Sequence, residues 1–509
     1  MSPAAARAVR LHNTKRGNPA VKSQVLGVTA VITAAVVLLF GSAFTAGQGA
    51  GSKVPEPPLL PGQKPYSLDL GETISYSQSK NFDIVGHSYF KGEWLTESAR
   101  QRGMGCGFNV PRVYKGVGYF AGYDDPPTCF GVVIADVSNP ADMKALSFIP
   151  CNPGTRCNYL RLNAAGKILV VGMDSSAANP QQPAGGPAAQ AGFAFYDVSN
   201  PRAPERLGFY PTLPHGATHG FEIDDRYVYG CATTAQTKPA NHELLILDYT
   251  DPKAPSLAST VHIPGQYLEE TYEPRDQKNL DGSPQHVWCH EVNYHKDRLY
   301  VAWRDAGMVI VDVSDRTHPE IISRLDYVPP FHGGATGATH TAAPVIVDPA
   351  KDPTLVVLTD EIIACPPGYG RIVDISDLSN PQVISTLRIP HVTDNFDRAA
   401  GKFVCPSNGG YVHHPWFDFR SPGLLYTAWI EQGVRAWDIS NPFLPREIGY
   451  YLSPRYPGRF PNRQVREVYQ DRDTGLLYMA DANGGGITVL RWVGPIPRRP
   501  VPAAAPGAR

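Results

Sequence analysis

The sequence predicts an all-β protein: a seven-bladed β-propeller of four-stranded blades, preceded by one N-terminal transmembrane helix. Three observations predict this. One short phrase recurs along the chain: two or three apolar residues, Asp, an apolar residue, Ser or Thr, Asn or Asp, and Pro nearby. Each copy follows a pair of strand-like segments and precedes another. Residues 25–46 run apolar without a charge behind a basic N-terminus.

Residues 1–24 carry Arg7, Arg10, Lys15, Arg16 and Lys22 and no acid, so they read as a cytoplasmic tail. Residues 25–46 are long enough to span a bilayer at about 1.5 Å rise per residue. The positive flank then leaves the rest of the chain on the extracytoplasmic side of the cell membrane. The rival reading is a signal peptide, cleaved to release a secreted protein. The length of the run and the lack of an A-x-A site after it favour a signal-anchor. Residues 47–80, rich in Gly, Pro and Ser, read as a stalk. Residues 81–495 hold the propeller, and 496–509 form a Pro/Arg tail expected to be disordered.

The phrase appears as VVIADVSNP (132–140), FAFYDVSNP (193–201), LLILDYTDP (244–252), VIVDVSD (309–315), RIVDISDLSNP (371–381) and RAWDISNP (435–442). Its apolar residues suit the third strand of a blade, buried on both faces. Its acids, Asp136, Asp197, Asp248, Asp312, Asp374 and Asp438, suit a turn, where a carboxylate accepts backbone N–H bonds. They read as structural. A seventh unit, residues 465–492, supplies three strands, and residues 81–90 are expected to complete it and close the ring. The pattern resembles the LVIVD-repeat family of bacterial and archaeal surface proteins over residues 83–495. That resemblance implies a β-propeller and leaves the activity open.

Net charge is −1, so nothing electrostatic points to a nucleic-acid partner. Eight cysteines suit an oxidising compartment. Cys151–Cys157 is the first disulfide expected, then Cys365–Cys405 and Cys106–Cys129. Cys289 is expected in a disulfide or packed between blades rather than as a thiolate ligand. Trp288, Trp303, Trp416, Trp429 and Trp437 read as packing between blades.

First strands line the channel. Aligned at their entrances, they place Asn158, His219, His290, His340, His414 and Arg466 at one position in blades two to seven. Four imidazoles at one level make a candidate cage for Fe, Cu or Zn: His219, His290, His340 and His414. His215, His286 and His413 are alternates. Glu291 and Glu467 are candidate catalytic bases, and Glu222 joins them as an acceptor that orients imidazoles. Asp305, Glu361 and Glu431 read as solvated or turn-capping. In geometry alone, the ring is similar to the four-histidine iron site of carotenoid cleavage oxygenases and to the propeller of the selenium-binding-protein family of thiol oxidases.

Two functions follow. One is a membrane-anchored binding or scaffold propeller that holds a protein or small-molecule ligand at one rim, with a metal on its channel histidines. The long loops 174–192, 266–288 and 391–412 favour it. The alternative is a transition-metal-dependent oxidoreductase with a four-histidine site at the axis, and a metal-dependent hydrolase is a weaker third choice.

Overall fold

The computed structural model describes residues 68–123, 128–176, 190–213, 219–238, 241–271, 287–326, 339–363, 365–405, 410–455 and 463–500. They form seven antiparallel blade sheets and one two-stranded ribbon, Phe396–Asp397 with Lys402–Phe403. Blade one spans Phe108–Pro150, blade two Thr155–Pro211, blade three Phe221–Val261 and blade four Glu291–Leu325. Blade five spans Thr339–Leu387, blade six Val412–Leu452 and blade seven Val465–Trp492. The strand Phe82–Ser88 pairs with Gly486–Trp492 as the outer strand of blade seven, the closure expected of residues 81–90.

The phrase forms the third strand of six blades, and its apolar run is buried throughout. The core therefore lies as apolar layers between neighbouring blades. Each phrase Asp caps its turn: Asp136, Asp197, Asp248, Asp312, Asp374 and Asp438 accept from the backbone N–H two residues on. The turn is also a catch for the preceding blade. Ser147 donates to the Pro201 carbonyl and Ser323 to the Leu378 carbonyl, each at 2.6 Å. Ser259 and Ser385 do the same to Arg316 and Pro442. Where the outer strand has glycine instead, the strand lies directly on the turn. A methyl on Gly208 would collide with the Pro252 carbonyl, and one on Gly86 with that of Pro140.

Two segments differ from the sequence reading. Within the stretch read as a stalk, Asp69 caps a helix, Leu70–Tyr76, and Gln78–Lys80 pairs with blade six as a fifth strand. Of the tail, the described residues 496–500 touch the body: Arg499 Nη1 donates to the Val347 carbonyl at 3.0 Å. The rest of the tail lies outside the described residues. So does the segment 25–46; among the described residues no helix is long and apolar enough to cross a membrane.

Four disulfides form: Cys106–Cys129, Cys151–Cys157, Cys231–Cys289 and Cys365–Cys405. Three are the expected pairs. The fourth ties blade three to the segment entering blade four, and leaves Cys289 no ligand role. Trp303, Trp429 and Trp437 are buried between blades, as expected.

The strand order fixes which rim carries what. Strands alternate in direction, so the phrase turns all lie on one rim. The entrances of the inner strands and the long connections lie on the other.

Candidate functional site

At the entrance of most inner strands the ladder breaks. Register shifts fall at Asn109, Asn158, His340, His413–His414 and Arg466. A bulge turns a side chain out of the pleat, and here it turns toward the channel. The side chain then hooks the next blade. Asn109 donates to the Asn158 carbonyl at 2.9 Å. His290 Nδ1 meets the His340 carbonyl at 3.1 Å, and His413 Nδ1 the Arg466 carbonyl at 2.9 Å.

These hooks assign the tautomers. A carbonyl accepts, so His290 carries its proton on Nδ1. His413 Nδ1 faces both the Arg466 carbonyl and His414 Nδ1, 2.8 Å away. The Arg466 guanidinium, which can only donate, makes His413 Nε2 an acceptor and puts the proton on Nδ1. In His340, Nδ1 meets Thr341 Oγ1 at 2.7 Å, and that hydroxyl spends its own proton on Glu291 at 2.6 Å. His340 Nδ1 is therefore also a donor. All three imidazoles keep Nε2 as a lone pair. Nε2 of His290 is buried with no hydrogen-bond partner. Nε2 of His340 lies 3.9 Å from Glu361 Oε2, and Nε2 of His413 lies 3.8 Å from Glu361 Oε1. Arg466 Nη1 also stands 3.3 Å from Nε2 of His413.

Two ligand groups result. One atom from each of His290, His340 and Glu361 lies within 4.8 Å of the others, as does one from each of His340, His413 and His414. Burial, aided by the Arg304 charge, holds His290 well below its usual pKa. Burial and the neighbouring imidazoles do the same to His340 and His413. All three are neutral at pH 7, the state in which imidazole binds a metal.

The expected quartet assembles only in part. His290 and His340 are adjacent, with ring centroids 4.4 Å apart. His414 is in the cluster but engaged: its Nε2 lies 3.0 Å from Glu291 and its Nδ1 2.9 Å from the Arg466 carbonyl. Burial would depress His414, but the Glu291 and Glu467 carboxylates hold it above its usual value. Burial would raise Glu291, but His414 and Thr341 hold it below. The two face each other as a buried hydrogen-bonded pair, an ion pair whenever His414 is protonated. The His219 ring lies 4.3 Å from that of His290, tilted by 50°, yet its Nδ1 faces Asp174, 3.6 Å away, and His219 belongs to neither ligand group. The alternate His413 takes part in its place; His215 and His286 lie outside the described residues.

Glu361 is a correction. It is 9% exposed, and sits among His340, His413, Arg304 and Arg466 rather than in solvent. The sequence offered no signal for this, because Glu361 leaves blade five on its second strand, not its first. Glu467 and Glu222 are held by Arg112 at 2.6 Å and Arg161 at 3.1 Å. With Glu291 they form a belt of charges further along the inner strands. Trp288, read as packing, is half-buried beside the cluster, its ring 4.4 Å from that of His242.

The LVIVD repeat model matches residues 289–326 and 368–387, which are blade four and the last two strands of blade five. The chain thus carries LVIVD repeats, as the phrase predicted. No curated protein matches it. Among solved structures, the Myceliophteria thermophila Cps50 (Swd1) β-propeller domain is 12% identical with a TM-score of 0.46, covering 76% of this chain and 96% of its own. Saccharomyces cerevisiae Sqt1 is 7% identical with a TM-score of 0.44, covering 77% and 97%. The strand pairing, rather than these likenesses, establishes the fold.

Proposed function

We propose that this LVIVD-repeat propeller is a membrane-anchored, extracytoplasmic binding protein that holds one transition metal ion at the loop-bearing mouth of its channel. His290, His340, His413 and Glu361 are the proposed ligands. The observation that carries the reading is the shared tautomer: three neutral imidazoles, each with its proton on Nδ1 and Nε2 unprotonated, clustered with one carboxylate, although His413 Nε2 also accepts from Arg466. The hook alone does not need imidazole, since Asn109 makes it with an amide. Nitrogen-rich donors with one carboxylate suit Zn, Fe or Cu. The apolar run behind a basic N-terminus and the four disulfides support an anchored, oxidising location.

One observation favours a second reading, a metal-dependent oxidoreductase. The His414–Glu291 pair and the Tyr159 hydroxyl, 3.4 Å from His414 Nε2, border the cluster and can hold or pass a proton. A bound Fe or Cu would supply the redox chemistry.

The test is elemental analysis of the full chain, purified without a histidine tag. About one equivalent of Fe, Cu or Zn is expected. A triple variant, His290→Ala, His340→Ala and His413→Ala, is expected to fold and carry none. Equal metal in both, or none in the parent after reconstitution, overturns the proposal.

A further inference from the structure

We infer that the mouth of the channel seats a small oxyanion, a carboxylate or phosphate group, against the metal, with Arg304 as its principal partner. This rests on the metal reading above and names the class of ligand that site would take.

Arg304 leaves the second strand of blade four in a left-handed conformation, φ 44°, which a non-glycine residue adopts only when the surroundings impose it. Its carbonyl closes a tight turn with Gly307 N and also accepts Thr339 N from blade five. The side chain is 3% exposed. Its guanidinium lies over the Trp288 ring at 5.3 Å. Nη1 lies 2.8 Å from Glu361 Oε2, and Nε has no hydrogen-bond partner. A buried guanidinium with an unmade bond, beside the ligand carboxylate, is costly unless something completes it.

Charge points the same way. Arg466 Nη1 also approaches Glu361, at 3.7 Å, so two guanidiniums share this carboxylate. A divalent metal on Glu361 would add to the positive charge around that carboxylate. Four nearby acids are engaged elsewhere: Asp174 with Arg156, Glu291 with His414, Glu467 with Arg112 and Glu222 with Arg161, while Asp481 faces Arg463 and Arg466. A divalent ion placed among these guanidiniums adds buried positive charge, which an anion offsets. The planar guanidinium fork fits carboxylate and phosphate oxygens, and a halide only as a point charge.

The test uses the full chain loaded with cobalt(II), whose visible band reports its ligands. Sodium acetate and sodium phosphate are titrated in separately, with sodium chloride as control. Acetate or phosphate is expected to shift the band saturably and chloride is not; the anion that acts at lower concentration identifies the group. Arg304→Gln is expected to keep its cobalt and lose about tenfold or more in anion affinity, with Arg304→Lys recovering part. Cobalt binding without a shift from either anion overturns the inference alone. An equal shift by chloride, or an unchanged titration in a folded Arg304→Gln, does the same. Failure to bind cobalt overturns the metal reading, and the inference with it.

Discussion

Asn109, His290 and His413, at the entrances of inner strands, each meet a carbonyl of the next blade, and the residue chosen decides what is left over. An amide at Asn109 leaves nothing basic on the axis, whereas an imidazole at His290 leaves a lone pair. Thr341 sets the same outcome for His340 by accepting its Nδ1–H while donating to Glu291. Thr341→Val keeps the shape and removes that partner. It is expected to weaken metal binding by about 10–100-fold in a chelator competition, with little change in fold. Asp481 leads to a separate prediction. It is fully buried on the second strand of blade seven, and Oδ2 has no hydrogen-bond partner. Burial pushes its pKa up to about 6, against the pull of the Asn483 and Gln464 N–H groups and the Arg463 and Arg466 charges. Between pH 4 and 6 the folded chain holds a proton that the unfolded chain has lost, so this group's contribution to stability falls as pH rises through that window. Over the whole window the loss amounts to roughly 3 kcal/mol. Asp481→Asn is expected to flatten that slope and raise stability at pH 7, read from urea melts at pH 4, 5, 6 and 7.

Among the elements, the phrase does two jobs with one turn. The Asp shapes the turn, and the turn's carbonyl receives the previous blade's serine. Ser323→Ala deletes the donor but leaves the Leu378 carbonyl at a part-buried junction. It is expected to cost about 1 kcal/mol in a urea melt. An unchanged midpoint would show that the catch between blades four and five contributes nothing. Cys231–Cys289 acts on elements too, since it clamps the residue just before His290 to blade three. The repeats made these elements legible because their information is local: an apolar run, a turn acid and a proline identify a third strand without knowledge of its neighbours. The serine catch was not legible in the same way. Its partner is some 55 residues distant, as with Ser323 and Leu378, and belongs to the next repeat.

For the whole molecule, closure depends on the N-terminal strands. Phe82–Ser88 completes blade seven, and Gln78–Lys80 adds an edge to blade six, so one short segment staples two blades. Gly86 lets this segment lie on the blade-one turn. Gly86→Val would force that junction open. The expected result is a broadened, less cooperative urea transition and a larger species on size exclusion, as unpaired strand edges associate. A sharp transition in a monomer would show that the ring tolerates the gap.

The propeller, its seven repeats, the turn role of the six acids, three disulfides and the level of the channel histidines could all be read from the chain before it was folded. Each follows from spacing within one repeat or from alignment between repeats. Which histidines face one another could not be read that way. Position in a repeat sets a residue's height in the channel, but the local backbone, bulged at some strands and regular at others, and the partners it meets set its direction. Hence His219 turns to Asp174 while His413, one residue from the expected His414, joins the cluster. Glu361 joins from a second strand, a contact between blades that no single repeat encodes.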